Sequence, residues 1–219
     1  MKQMCHEIWV NIPPKYNRFP DWDGQVPDLS YFGPKVKVNR ACEDVGPGTK
    51  AIGPASNLDP ADLIVYLDDD TLYDEKMVTN LLKWWKTDTK SAWGLSGFDF
   101  ENYFKRHYPR EHGTPLDVLE GYGAVVVKAE WIQNLITEFK ELRDEAKAAD
   151  DVILSNLLTK QGVKLKTVFV PECHVGQVRQ LSYGFDSDAL HHGGHHDNYK
   201  RVLKSLEDKG KNYFKYKCS

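Results

Sequence analysis

The sequence lacks the marks of a membrane, extracellular or nucleic-acid-binding protein. No apolar run approaches the roughly 18–20 residues that span a bilayer. The opening stretch, MKQMCHEIWV, is too short and too polar for a signal peptide. Four cysteines, Cys5, Cys42, Cys173 and Cys218, are scattered without CxxC or finger-like spacing. They read as free thiols in a reducing, cytoplasmic setting and argue against a disulfide framework or a cysteine-ligated zinc. A net charge of -3 is too mild to make nucleic acid or an anionic membrane surface the main partner. Repeats, low-complexity tracts and a phosphate-cradling G-x-x-x-x-G-K-[ST] loop are also missing. Any diphosphate must therefore be held by other means.

What is present suits a globular protein. The 219 residues are 41% hydrophobic and 28% charged, enough apolar material for a real core. One domain over residues 1–219 is the expectation, and the ending KGKNYFKYKCS is compatible with a piece of a longer, multi-domain chain. Strand patterns fall at HEIWVNI, KVKVN, DLIVYLDD, SAWGLSGF, GAVVVKA and VKLKTVFVP. Helical spacing falls at DEKMVTNLLKWWK, with Asp74 as its N-cap and Val78, Leu81, Leu82 and Trp85 on one face. It recurs at EWIQNLITEFKELRDEAKA, at DDVILSNLLTKQG with Gly162 closing it, and at HDNYKRVLKSLED. Alternation in this order predicts an α/β fold with a central, mostly parallel mixed sheet flanked by helices. Ligands in such folds bind beyond the carboxyl ends of the strands.

That is where the sequence concentrates charge. Five of the six residues from Leu63 to Asp68 are apolar or aromatic, and three carboxylates then follow, Asp68, Asp69 and Asp70. Adjacent like charges repel, so the triplet needs a cation or a ligand. Continued strand alternation turns Asp68 and Asp70 to one side and Asp69 to the other. Two convergent carboxylates suit a hard divalent ion, Mg²⁺ or Mn²⁺. An EF-hand ladder is absent, and Leu72 stands where a phosphatase aspartyl motif needs Thr or Val. Elsewhere, Asp150 and Asp151 open a predicted helix. They read either as caps or as a base able to take a proton from an acceptor hydroxyl. The run DALHHGGHHDNY holds four of the eight histidines, His191, His192, His195 and His196. No cysteine lies within ligand spacing of them, and the glycines allow a loop that folds over a ligand.

The segment LIVYLDDDTLY resembles the Asp-x-Asp segment of GT-A-fold glycosyltransferases. NRACEDVGPGTKAIGP resembles the stretch preceding it in one branch, and EGYGAVVVKAEWI and ADDVILSNLLTKQGVKL resemble the later donor and acceptor segments. The four occur in family order from Arg40 to Leu165. Within the family the chain most resembles viral glycosyltransferase domains implicated in glycan synthesis. The resemblance implies a GT-A fold and a glycosyltransferase of hexosyl type that uses a UDP-sugar donor and Mn²⁺ or Mg²⁺. Its acceptor would be a glycan or glycoprotein hydroxyl.

Carried over position by position, Asp70 would be the principal metal ligand, with Asp68 facing the ribose or sharing the metal and Asp69 on the sugar side. Ile12 and Pro13 would lie beside the base and ribose, Arg40 and Asp44 would read the base, and Lys50 would meet the diphosphate. Gly121 and Tyr122 would belong to the donor site, and His191 or His195 would complete the metal site. Lys50 or Arg179 could also offset charge on the leaving group. Trp9, Tyr16, Trp22, Trp93, Tyr103, Tyr108 and Tyr122 offer stacking surfaces, though core packing accounts for most aromatics. Two rival readings remain. One is a nucleotidyltransferase that makes nucleotide sugars, which needs a glycine-rich N-terminal loop that NIPPKYNRFP lacks. The other is a non-enzymatic carbohydrate- or metal-binding module.

Overall fold

Four apolar residues at Ala124–Val127, all without exposure, demand a strand with both faces covered, and the chain builds its layers around them. The structure, a computed structural model, describes residues 5–104, 111–168, 179–180 and 195–216. In chain order its elements are β1 (Ile8–Asn11), β2 (Val36–Asn39), α1 (Thr49–Ala55), β3 (Leu63–Tyr66), β4 (Thr71–Leu72) and α2 (Met77–Trp85). Next come β5 (Ser91–Gly94), β6 (Gly97–Phe98), α3 (Phe100–Phe104), β7 (Pro115–Leu116), β8 (Val118–Leu119) and β9 (Val125–Lys128). The chain continues through α4 (Ala129–Glu141), α5 (Arg143–Lys160), β10 (Lys164–Thr167), β11 (Arg179–Gln180) and α6 (His195–Asp208).

The central sheet is five-stranded in the order β3-β9-β5-β10-β7. β3, β5 and β10 run one way, while β9 and β7 run against them. β9 therefore separates β3 from β5, and β5–β10 is the one parallel pairing within this sheet. The fold is α/β with a mixed sheet flanked by helices. The expected mostly parallel pairing is corrected by the reversed strand β9, inserted between β3 and β5. β1 and β2 form a separate parallel pair, and β11 lies antiparallel to β4.

Alternation sorts the two faces. Ile64, Tyr66, Ala92, Val125, Val127 and Leu165 face a large cluster with α1, α4, α5 and α6. Trp93 and Val126 face the other way and meet Met77, Val78 and Leu81 of α2, with Leu82 and Trp85 packed at the margin. In α6, Tyr199, Val202, Leu203 and Leu206 recur at helical spacing and are buried. Gly162, with φ 78°, follows α5 in a left-handed turn: its N–H bonds the Thr159 carbonyl, and that of Val163 bonds Leu158.

Three sequence expectations shift. β3 stops at Tyr66, two residues short of the acidic triplet. α2 starts at Met77 without a side-chain cap, and Asp74 instead accepts from the Lys76 N–H at 2.7 Å, a turn just before the helix. The helix expected over EWIQNLITEFKELRDEAKA breaks at Leu142, which ends α4 and begins α5. Packing explains the break: Leu142 is buried, and Glu145 is drawn toward α6 by Ser205 and Lys209. α5 in turn carries a non-helical Ala149 (φ -161°, ψ 67°), so Asp150 and Asp151 do open a fresh helical stretch.

Candidate functional site

Strand direction gathers the site. β3 and β5 end at the edge of the sheet where the reversed β9 begins. The residues after β3 (Asp68–Asp70), after β5 (Ser96) and before β9 (Glu120–Gly123) therefore meet at one edge. A cleft there is lined by Tyr16, Asp44, Lys50, Asp68, Glu120 and Asp151, among others.

Lys50 holds its centre. The GPGTK segment turns directly into α1, whose start is fixed by the Val45 N–H bonding Thr49 Oγ1 at 3.0 Å. Gly48 lies so close to the Phe139 ring that a Cβ would sit 2.4 Å from it. Lys50 Nζ reaches Asp68 Oδ1 at 2.7 Å, Asp150 Oδ2 at 3.2 Å and Asp151 Oδ1 at 3.7 Å. Only the first is a hydrogen bond; Asp150 Oδ2 is buried and has none among the described residues. A Cβ on Gly121 would lie 2.6 Å from Lys50 Nζ, so the bare backbone there leaves room for the ammonium. Burial alone would pull the lysine's pKa down. The carboxylates of Asp150, Asp151 and Asp68 outweigh it and hold the ammonium well above the usual lysine value.

Asp151 carries the opposite tension. Burial lifts its proton affinity well above the carboxylate range; Lys50 opposes this, while Asp150, Asp68 and Glu120 add to it. Its Oδ1 accepts from the Gly121 N–H at 3.1 Å, which fixes its orientation. Beside it, Ser96 Oγ lies 2.7 Å from both Glu120 Oε2 and Tyr122 Oη. With one hydrogen, the serine donates to Glu120 and accepts from Tyr122. Burial raises the Glu120 pKa, and the bond from Ser96 offsets only part of that. Tyr73 ties the acidic loop down: its hydroxyl accepts from the Asp68 N–H at 3.1 Å and faces the carbonyls of Asp68 and Tyr122 at 3.2 and 3.0 Å.

The triplet separates. Asp68 turns to Lys50, whereas Asp69 and Asp70 are exposed in a bend, with Asp70 Oδ1 accepting from Thr71 Oγ1 at 3.3 Å. With β3 ended at Tyr66, strand alternation no longer sets where Asp70 faces. Among the described residues no group of three His, Cys, Asp or Glu side chains is arranged to hold a metal ion. His191 lies outside the described residues, as do Tyr108, Cys173 and Cys218. His195 opens α6 and Arg179 lies on β11 opposite Leu72, both described in backbone only.

The base-side residues hold one another. Asp44 Oδ2 accepts from the Asn17 backbone N–H at 2.5 Å and its Nδ2 at 2.8 Å, and Oδ1 accepts from Gly46 N–H at 2.9 Å. That carboxylate is committed to fastening the loop. Arg40 lies over Trp22, 5.5 Å from its centroid, and its Nη1 donates to the Pro13 carbonyl at 3.4 Å. The Ile12 N–H bonds Asn39 O at 3.1 Å, which sets the path of the Ile12–Pro13 segment.

Sequence reading missed Tyr66, Tyr73, Ser96 and Glu120. Tyr66 stands two residues before Asp68 and Glu120 immediately before Gly121, so neighbours of expected site residues were the available signal. Cys5 and Cys42 are free thiols. No described helix is long and apolar enough to cross a membrane. Comparison with protein-family models and with curated proteins finds no match.

Proposed function

We propose that the chain is a GT-A-fold, divalent-metal-dependent glycosyltransferase that moves a hexosyl group from a UDP-sugar to a hydroxyl of a glycan or glycoprotein. The observation that carries this reading is the meeting of Lys50 with Asp68, Asp150 and Asp151 at the carboxyl edge of a mixed α/β sheet. A cation held among carboxylates meets the needs of a reaction that expels a diphosphate and deprotonates an alcohol. The family resemblance of four ordered segments supplies the nucleotide sugar.

Asp68 and Asp70 are hard oxygen donors of the type that suits Mg²⁺ or Mn²⁺; because Asp68 is bonded to Lys50 and Asp70 is exposed in the bend, they would hold the ion together with the donor diphosphate rather than as a preformed site. When bound, the metal supplies Lewis-acid stabilisation of the leaving diphosphate. Lys50 adds a second positive charge from the protein side. Asp151 is held by the Gly121 N–H, and burial suits it to take a proton, so it is the favoured base, with Asp150 beside it. Glu120 and Tyr122 close the site through Ser96.

The test is thermal. UDP with Mn²⁺ raises the melting temperature, and Asp70→Ala removes that shift while the free variant still melts cooperatively. A shift that persists without metal contradicts the metal assignment.

A further inference from the structure

Lys50 already stands where a cation would meet Asp68. Its ammonium donates to Asp68 Oδ1 at 2.7 Å and lies 3.2 Å from Asp150 Oδ2 and 3.7 Å from Asp151 Oδ1. The lysine side chain is 15% exposed and that of Asp68 33%, so the pair sits at the boundary between the interior and the cleft. Both ends of the contact are anchored. Lys50 enters α1 directly after Thr49, whose Oγ1 is bonded by the Val45 N–H at 3.0 Å. The Asp68 backbone is held by the Tyr73 hydroxyl, through its N–H at 3.1 Å and its carbonyl at 3.2 Å. Only the two side chains are left to move. Gly121 bounds the ammonium on a further side, since a Cβ there would meet Lys50 Cε and Nζ at 2.6 Å each.

A free divalent ion approaching Asp68 therefore meets a carboxylate that is already paired. Ion and ammonium repel, and the repulsion is poorly screened where the side chains are partly buried. Taking Lys50 off Asp68 without offering it another anion breaks an established pair, which is unfavourable. A diphosphate reverses that balance. Its oxygens accept from the ammonium, and it carries more negative charge than the divalent ion carries positive. Lys50 can then exchange a carboxylate for a phosphate, and Asp68 is released to the ion.

We infer that Lys50 is a specificity-determining residue: it bars the free divalent ion from Asp68 and admits the ion together with a diphosphate. The inference rests on the glycosyltransferase reading and deepens it. In the free protein the ammonium is the counter-ion of Asp68, and in the loaded protein it bonds the diphosphate. Ion and nucleotide are linked through this one side chain, so each strengthens the binding of the other by the same factor. Replacing Lys50 by an uncharged residue loosens that link from both ends, easing entry of the ion alone and weakening the hold on the diphosphate.

The experiment titrates Mn²⁺ into the wild type and Lys50→Gln, with and without UDP, and follows the free ion by electron paramagnetic resonance. Without UDP, Lys50→Gln is expected to bind Mn²⁺ roughly three- to tenfold more tightly than the wild type, the effect of removing one partly exposed, charged hydrogen bond. With UDP present that advantage is lost, because the variant has no ammonium for the diphosphate. A second measurement needs no substitution and stands even if the variant fails to fold. Acetylation of Lys50 in the wild type, read by mass spectrometry, rises with saturating Mn²⁺ alone and falls again when UDP is added. Mn²⁺ bound no more tightly by folded Lys50→Gln, an advantage that UDP leaves intact, or Lys50 labelling that Mn²⁺ does not change overturns the inference alone. Failure of the wild type to bind UDP in the presence of Mn²⁺ overturns the glycosyltransferase reading and the inference together.

Discussion

Lys50→Met replaces the buried ammonium with an apolar chain of similar length. In the native protein that ammonium faces Asp150 and Asp151, whose side chains are 12% and 16% exposed, and Asp68, at 33%. Removing one partner of a buried ion pair costs about 3–5 kcal/mol, because the remaining charge has neither water nor counter-ion. The expected loss is at the lower end, since Asp68 can turn to solvent. At roughly 2–4 °C per kcal/mol for a chain of this size, 3 kcal/mol lowers the melting temperature by about 6–12 °C. The loss also depends on pH. Lys50 is the neighbour that opposes protonation of Asp151, so without it the folded-state pKa rises further above the ordinary value of 3.8. A carboxyl whose pKa is raised by folding contributes stability that is fully present below the unfolded pKa and lost as pH rises through the folded pKa. The deficit of the variant relative to wild type therefore grows as pH rises through the folded-state pKa of Asp151 in the wild type. Urea unfolding of both proteins over a pH series measures it. A deficit below about 1 kcal/mol refutes the claim that Lys50 neutralises a buried carboxylate cluster.

Two further predictions probe the surroundings. Gly123→Ala places a Cβ 2.5 Å from Ser96 Cβ and 2.7 Å from its backbone nitrogen, a clash that side-chain rotation cannot relieve. It is expected to cost about 1–3 kcal/mol and to weaken UDP binding by disturbing the Ser96–Glu120 bond; unchanged stability in urea contradicts that packing. The His112 ring lies tilted against Trp84, with centroids 3.6 Å apart, and stacks on Trp93 at 5.4 Å, and burial, aided by Lys166, holds its pKa below 6.5. Its folded form favours the neutral ring, so its contribution is full above the unfolded pKa and falls as pH drops from about 6.5 through the lowered value. Melting curves of wild type and His112→Phe should diverge as pH falls over that window, and parallel curves rule the coupling out.

The four-residue strands were legible because their signals were local, whereas the two-residue strands β4, β7, β8 and β11 carry no such signal. The VVVK run, the IWVN and VKVN alternations and the KLKT strand needed only apolar content and breakers, and α6 needed only its period. Pairing was not local. Nothing in GAVVVKA reveals that β9 runs backwards between β3 and β5, because direction is set by the length and packing of the connections. The break at Leu142 has no Gly or Pro to announce it and follows from the tie between Glu145 and α6. In the site, Lys50, Asp68, Asp150 and Asp151 were singled out in sequence, and the structure brings them together. Asp70 stays apart from them at the surface, because the strand that was to aim it ends at Tyr66. Asp44 looked available and is consumed by Asn17, a contact spanning 27 positions that no local pattern encodes. Tyr66 looked like one more apolar strand residue, and it is set apart by a buried hydroxyl that has no hydrogen-bond partner among the described residues.

The central claim is that this cleft transfers a sugar from a nucleotide donor. Its most direct measurement is nucleotide release from a panel of UDP-sugars with Mn²⁺, with EDTA as the control. The account predicts UDP release from at least one UDP-sugar, abolished by EDTA and by Asp70→Ala. Release of no nucleotide from any sugar, with or without added glycan acceptors, contradicts it.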